Sequence, residues 1–228
     1  MDDLLSEVCR QLEDHGLKVK EAAAAIIDAT LIQSAARPNG YIDETKVAQD
    51  REETAISTTQ NEVHYSADKE ATWIKKGKKS LLGYKGYERC DAEGMIEKVH
   101  VTPANKGECP EFKAMVKGSK AKRVMADKAS ASQENRAYLR ENGYKDGIMH
   151  KASRGRPLKA SQKRFNRLVS KVRFCVEQNF GTGKRLFGLH RARYFGIAKT
   201  HAQMALAAMG QNLLKASNKI TLNPKPSQ

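Results

Sequence analysis

An acidic residue stands in the middle of a strand-like apolar run near the start of the chain. The stretch at residues 22–35 reads AAAAIIDATLIQSA, and the branched residues Ile26, Ile27 and Ile32 favour an extended, largely buried segment. A carboxylate such as that of Asp28 is costly to bury in this context unless a cation or a basic partner balances it. The fold must therefore supply a balancing group next to Asp28.

Two further acids share this apolar context. Asp127 ends the strand-like run Val-Met-Ala-Asp, and Glu177 follows Phe-Cys-Val on a long helix that we predict to start near Ala160. Three carboxylates that converge beside a basic surface suit hard divalent cations, which take oxygen ligands and bridge to a phosphodiester. We therefore predict Asp28, Asp127 and Glu177 as catalytic acids and metal ligands.

The helix around Glu177 has two faces when its residues are spaced at 100°. The apolar side, which we expect to pack, holds Leu168, Val172, Cys175 and Val176. The opposite, polar side holds Arg173, Glu177 and Lys184. This spacing would frame a metal-binding acid with two cations able to hold phosphates. An ordinary solvated face with an ion pair between positions i and i+4 is the alternative interpretation.

Charge is distributed unevenly along the chain. The formal net charge is +15, yet residues 1–70 carry 7 Lys and Arg against 15 Asp and Glu, whereas the remainder carries 34 against 11. A merely solvated surface would mix the signs. The later two-thirds of the chain are therefore expected to bind a polyanion, with nucleic acid favoured over a membrane surface because no basic amphipathic anchor helix stands out.

The pattern of apolar residues and turn signals predicts an α/β or α+β domain. We expect an N-terminal helix within residues 1–20, a main domain over 21–216 that contains a polar excursion at about 33–68, and a disordered tail at 217–228. Strands are predicted on both sides of a turn at 91–94, at 123–128 and at 146–150. Helices are predicted at 107–117, 132–142, from 160 onward and at 197–216.

Cysteine usage and hydropathy indicate the compartment. The four cysteines show no CxxC pair and no zinc-ligand spacing, and no apolar run approaches the ~20 residues that a membrane span requires. We therefore expect a cytoplasmic, nucleoid-associated protein without a membrane partner.

Several of these segments together resemble a known family. The spacing Arg173-x3-Glu177-x6-Lys184 is similar to the signature of insertion-sequence transposases of the IS-four and IS-five type, with Ser170 at a place where the family has Tyr. The resemblance extends in chain order through Ile27-Asp28-Ala29-Thr30, Leu82-Gly83-Tyr84-Lys85, Val101-Thr102-Pro103-Ala104-Asn105, Ala126-Asp127-Lys128 and residues 187–194. It covers most of the chain, from about residue 20 to 215.

The resemblance implies an RNase H-like mixed sheet flanked by helices, with a helical C-terminal segment. It also implies that Asp28, Asp127 and Glu177 surround Mg²⁺, with Mn²⁺ as a possible substitute, and that Arg173 and Lys184 hold a phosphate. The DNA backbone would follow two basic groups, namely Lys75, Lys76, Lys78, Lys79 and Lys85, and Arg154, Arg156, Lys163, Arg164 and Arg167. Transposases of this kind generally pair as homodimers on paired DNA ends.

Two functions follow from the resemblance. Family members usually carry an N-terminal DNA-recognition domain, so the chain is expected to be an N-terminally truncated form. They also commonly have a His-Asp pair where this chain has Gly107-Glu108. The first function is a metal-dependent transposase core that cuts and rejoins DNA. The second is a non-catalytic, basic DNA-binding remnant of such an enzyme. Retention of all three acids favours the first.

Overall fold

The computed structural model describes residues 1–36, 41–46, 59–64 and 67–222. The helices are α1 (Asp2–Asp14), α2 (Glu108–Val116), α3 (Gln133–Glu141), α4 (Ala160–Leu186) and α5 (Ile197–Leu222). The strands are β1 (Ala24–Gln33), β2 (Tyr41–Lys46), β3 (Thr59–His64), β4 (Thr72–Lys76), β5 (Lys79–Asp91), β6 (Ile96–Pro103), β7 (Arg123–Ala126) and β8 (Lys145–Ile148).

The main sheet is mixed, and its central strand is the one that carries Asp28. Strands β6, β5, β1, β7 and β8 lie in this order. Strand β5 is antiparallel to both β6 and β1, whereas β1, β7 and β8 are parallel to one another. Strand β4 extends the sheet by pairing with the first residues of β5. Three antiparallel strands followed by two parallel ones form an RNase H-like sheet, so the predicted α/β fold class is confirmed.

Helices cover both faces of this sheet, as the alternation of side chains along β1 requires. Ile26 and Ile32 belong to a core with Val176 of α4 and Met204 of α5. Ile27 points to the other face and packs in a second core with residues of α2 and α3. Helix α1 joins the first core through Leu5 and Cys9, so it packs into the same body as the sheet.

The hairpin between β5 and β6 confirms the turn predicted at residues 91–94. The side chain of Asp91 accepts hydrogen bonds from the backbone nitrogens of Glu93, at 2.9 Å, and Met95, at 2.8 Å. Gly94 adopts a φ of 81°, a left-handed conformation that glycine adopts without strain. Its carbonyl oxygen accepts hydrogen bonds from Asn179 of α4 and Lys215 of α5. The turn is therefore anchored to both long helices.

Two predictions about polar segments are corrected. The excursion predicted at 33–68 contains a two-stranded antiparallel sheet, in which β2 pairs with β3. Hydrogen bonds between the two backbones hold these strands together. Their sequences are polar and lack the alternation of apolar residues by which strands are predicted, so the pattern gave no sign of them. The tail predicted to be disordered at 217–228 is helical up to Leu222. Within this part of the helix, Lys219 donates to the carbonyl oxygen of Leu17 at 2.9 Å. Residues 37–40, 47–58, 65–66 and 223–228 lie outside the described part.

The packing face predicted for α4 is confirmed at Val172, Cys175 and Val176 and corrected at Leu168. Leu168 is 56% exposed, so it does not define the buried side. The residues of α4 that are buried are Val169, Val176, Asn179, Phe180 and Gly183. Arg173 consequently lies at the edge of the face that packs on the sheet rather than opposite to it. None of the helices in the described ranges is long and apolar enough to span a membrane.

Candidate active site

The sheet brings Asp28 and Asp127 together. Strand β1 runs parallel to β7 with Ile27 opposite Ala126, so the next residue along each strand is an aspartate. Residues paired in parallel strands point to the same face, and both aspartates point toward α4. Their side chains are 13% and 29% exposed, respectively. Two of the three predicted acids therefore share one site.

Local hydrogen bonds hold both carboxylates. Oδ1 of Asp28 accepts from the backbone nitrogen of Ala29 at 2.9 Å. Oδ1 of Asp127 accepts from the backbone nitrogen of Lys128 at 2.6 Å, and this residue caps the short 3₁₀ helix that follows β7. Backbone donors of this kind fix the direction of a carboxylate.

Arg173 lies between the two aspartates. One terminal nitrogen of its guanidinium is 2.5 Å from Oδ2 of Asp28, and the other is 3.7 Å from Oδ1 of Asp127. The Arg173 side chain is 11% exposed, and its Nε is buried without a hydrogen-bond partner among the described residues. Helix α4 therefore supplies the positive charge that a carboxylate in β1 requires.

Glu177 lies one turn beyond Arg173 and is exposed. It makes no ion pair with the residues that the structure describes. Across those residues, no group of three His, Cys, Asp or Glu side chains is arranged to hold a metal ion. Glu177 is thus on the expected helix, but its side chain is not gathered to the aspartate pair.

The aspartate pair itself fits a divalent cation. The guanidinium of Arg173 places positive charge at a point that both carboxylates face. Carboxylate oxygens are the ligands that Mg²⁺ prefers, and one or two of them are the usual protein contribution to a Mg²⁺ site. Asp28 and Asp127 would therefore hold the cation, in the place where Arg173 now balances their charge.

A basic cleft of about 490 Å³ lies next to this pair. Its charged and titratable lining residues are Lys75, Lys76, Lys85, Lys184, Glu108 and His190. Burial, and then the nearby charge of Lys76, lower the pKa of Lys184. Four of the lysines predicted to bind DNA are thus brought together beside Ala29 and Thr30 of β1.

The other predicted DNA-binding residues lie on exposed surfaces away from the cleft lining. Lys78 and Lys79 lie at the turn between β4 and β5. Arg154 and Arg156 lie in the loop before α4, and Lys163, Arg164 and Arg167 lie on the first turns of that helix. All of these side chains are exposed.

Glu88 is an acid near the site that the sequence analysis did not identify. It lies opposite Asp28 on β5 and is 2% exposed. Asn179 of α4 donates to Oε1 of Glu88 at 2.5 Å, and Lys215 donates to Oδ1 of Asn179 at 2.6 Å. Burial raises the pKa of Glu88 to about 8, assisted by the charge of Asp28, while Asn179 and Lys215 act in the opposite direction. Only the pairing register of β1 with β5 would have revealed it.

Glu108 is a second acid that the sequence analysis did not assign. It is the first residue of α2 and is half-buried in the lining of the basic cleft. Burial is the main cause that raises its pKa, and the negative charges of Asp28 and Asp127 raise it further. Lys85 and Arg173 lower it. Its sequence signal was its place in the Gly107-Glu108 pair, which stands where the resembling family has His-Asp.

The chain matches one family model over most of its length. Residues 21–213 match the model described as a transposase DDE domain. The transposase for insertion sequence element IS1106 of Neisseria meningitidis serogroup B is 47% identical over 225 residues, which cover 96% of this chain and 75% of that protein. These matches confirm the resemblance that the motifs indicated.

A solved structure, the crystal structure of the Mos1 mariner paired end complex with Mn, aligns at 10% identity with a TM-score of 0.33. The alignment covers 100% of this chain and 63% of that chain. The assignment of the fold rests on strand order and direction instead. Because the family model matches residues 21–213 and the IS1106 transposase is 47% identical, the chain belongs to the DDE transposase family.

Proposed function

We propose that this chain is the catalytic core of an insertion-sequence transposase, with residues 21–216 as its catalytic domain, and that it cleaves and rejoins DNA with Mg²⁺ or Mn²⁺. The observation that carries this proposal is the pair of aspartates, Asp28 and Asp127, which share the guanidinium of Arg173 at the edge of a basic cleft. Membership of the DDE transposase family supports the same chemistry.

Asp28, Asp127 and Glu177 are the residues proposed to hold the metal. Divalent cations at such acids would polarise the scissile phosphate, and a pair of them would stabilise charge on the attacking and the leaving oxygen of an in-line displacement at phosphorus. The two aspartates are already held in place by Ala29 N–H and Lys128 N–H. Glu177 would join them by turning its exposed side chain, which no ion pair with a described residue restrains.

The cations around the pair are proposed to hold DNA. Arg173 balances the two aspartates, and its guanidinium becomes available to a phosphate when another cation balances them. Lys184 lies in the cleft with Lys75, Lys76 and Lys85, where four ammonium groups can contact phosphates along a strand. The exposed residues from Arg154 to Arg167 would extend this path without reading the base sequence.

The DNA would consist of the element's ends and a target, and a homodimer that pairs the two ends is the proposed assembly. A cytoplasmic, nucleoid-associated location follows from such a substrate. A non-catalytic DNA-binding remnant is the alternative function, and the same experiment distinguishes the two.

The test is a nicking assay on supercoiled plasmid DNA with Mg²⁺ or Mn²⁺. We expect the parent to nick the plasmid, and we expect Asp28→Ala, Asp127→Ala and Glu177→Ala each to reduce nicking to background, because each removes a metal ligand. Retention of DNA in a filter-binding assay should persist in all three. Glu141→Ala, which removes an exposed acid of α3, is the matched control and should nick like the parent.

The possible results have distinct meanings. Three variants that nick like the parent would contradict the assignment of these acids. Loss of nicking in the two aspartate variants alone would remove Glu177 from the site. A parent that retains DNA but does not nick it with either metal would support the remnant instead.

A further inference from the structure

The loop that precedes α2 is tied to the active-site strands on both sides of Glu108. Lys85 donates to the carbonyl oxygen of Lys106 at 2.6 Å, and the hydroxyl of Tyr87 donates to the carbonyl oxygen of Gly107 at 3.2 Å. On the other side, Nδ2 of Asn135 donates to the carbonyl oxygen of Cys109 at 3.0 Å. The backbone of Glu108 is therefore held before and after the residue.

These tethers originate next to the two aspartates. Tyr87 lies on β5 opposite Ala29, the neighbour of Asp28. Asn135 also donates, at 2.9 Å, to the carbonyl oxygen of Ser130, which ends the 3₁₀ helix that Asp127 caps. One side of the loop is thus fixed to the segment of Asp28 and the other to that of Asp127. A loop positioned this way keeps the backbone of Glu108 at a constant place relative to both acids, in the lining of the cleft that also contains Ala29.

The electrostatic surroundings of Glu108 agree with this placement. The groups that shift its pKa include Asp28 and Asp127, which raise it, and Arg173 and Lys85, which lower it. An acid that merely favours the positive end of a helix dipole would not need charged groups from four other segments around it. The half-buried Glu108 instead shares the field of the active site.

We propose that Glu108 is a positioning residue of this active site, whose negative charge strengthens the binding of a divalent cation by Asp28 and Asp127. This inference rests on the proposed function. It assigns Glu108 no contact with the reacting phosphate. Its carboxylate acts through the two aspartates, as outer partners of metal sites commonly do.

The test measures Mn²⁺ binding directly, without DNA. Free Mn²⁺ is quantified by its electron paramagnetic resonance signal during titration of the parent, Glu108→Gln, Glu108→Asp and Asp127→Asn. We expect Glu108→Gln to weaken Mn²⁺ binding by about tenfold, the lower end of the range typical for outer partners of metal ligands. Glu108→Asp, which retains the charge, should recover most of the affinity. Asp127→Asn should lose binding almost completely.

The control for charge and helix is Glu111→Gln, because Glu111 lies on the same helix but pairs with His100 at 3.2 Å. It should bind Mn²⁺ like the parent. Melting curves without metal separate positioning from folding: removing a third acid near two others should not lower the Tm of Glu108→Gln.

The outcomes separate this inference from the function on which it rests. Parent-like Mn²⁺ affinity in Glu108→Gln, together with loss in Asp127→Asn, would overturn the role of Glu108 and leave the proposed function intact. A lowered Tm with unchanged affinity would show that Glu108 only supports the fold. A parent that does not bind Mn²⁺ would overturn both.

Discussion

Two acids on neighbouring strands of this molecule have opposite environments. Asp28 and Glu88 lie opposite each other in β1 and β5, and both are contacted by α4. Asp28 is balanced by the guanidinium of Arg173 at the edge of an open cleft. Glu88 is 2% exposed and contacts the neutral amide of Asn179. Six residues along the same helix thus separate a charged pairing beside the cleft, that of Arg173, from a buried, hydrogen-bonded one, that of Asn179.

The difference indicates which acid can exchange its balancing group for a metal ion. A carboxylate balanced by a side-chain cation beside a cleft can exchange that cation for a metal ion, whereas an acid enclosed by an amide and a hairpin turn has its place fixed. Asn179 links Glu88 to the carbonyl oxygen of Gly94, so this network fixes α4 on the sheet two residues beyond Glu177. The buried acid holds the helix, and the chemistry proposed above is assigned to the two acids beside the cleft.

The largest effect is expected from pH at Glu88. Its pKa lies at about 8 in the folded chain, against an ordinary value of 4.5, mainly because of burial. Folding therefore favours the protonated acid, so this contribution is full below about pH 4.5 and is lost as pH rises through 8. We expect Glu88→Gln, which cannot ionise, to match the parent at pH 5 and to exceed its stability at pH 9 by an amount on the order of several kcal/mol.

Thermal melts at pH 5, 6.5, 8 and 9 measure this difference. The pKa of Lys215 is lowered mainly by burial and raised by the charge of Glu88, so the difference between the two proteins reports on Glu88 together with its coupling to Lys215. Glu141→Gln, an exposed substitution, should show no trend. A gap between Glu88→Gln and the parent that stays constant with pH would contradict the buried, protonated acid.

A smaller effect, a loss of stability, is expected when the amide of Asn179 is removed. Asn179→Ala leaves Glu88 without its amide partner, whereas Lys215 and the Gly94 carbonyl keep their hydrogen bond to each other. Unsatisfied buried groups of this kind should lower the free energy of unfolding by about 3 kcal/mol. Urea unfolding followed by circular dichroism measures it, with the exposed neighbour Gln178→Ala as control. Equal stability in the two variants would mean that the network does not anchor α4.

The sequence was informative where local patterns decide the structure. The strands around Asp28 and Asp127 and the helix of Glu177 were predicted because apolar runs and caps mark them. The partner of Asp28 was misjudged: the helical wheel was centred on Leu168, which is exposed, so Arg173 was expected to face away from the core. Which residues of an amphipathic helix pack is decided by the sheet below it.

The acids that were missed depend on contacts between distant segments. Glu88 becomes a neighbour of Asp28 only through the register of β5 with β1. Glu108 reaches the site through a loop held by Tyr87 and Asn135, which lie 20 and 26 residues away from their acceptors. Neither relation has a local sequence signature. The polar hairpin of β2 and β3 escaped prediction for a similar reason, since it lacks an apolar period.

The smallest effect is expected at the open pair, and it tests the exchange of cations directly. Arg173→Ala leaves Asp28 and Asp127 side by side without their shared counter-charge, so the metal-free Tm should fall. The pair lies beside the cleft, so water and solvent cations can reach the aspartates once the guanidinium is gone, and the cost should be about 2 kcal/mol rather than the roughly 3–5 kcal/mol of an enclosed pair. Mn²⁺ should then raise the Tm of the variant more than that of the parent, since it no longer displaces a guanidinium. Lys171→Ala, an exposed change on the same helix, should respond to Mn²⁺ like the parent. An equal response of Arg173→Ala and the parent would mean that Arg173 and the metal do not compete for the two carboxylates, and the open pair would then be as fixed as the buried one.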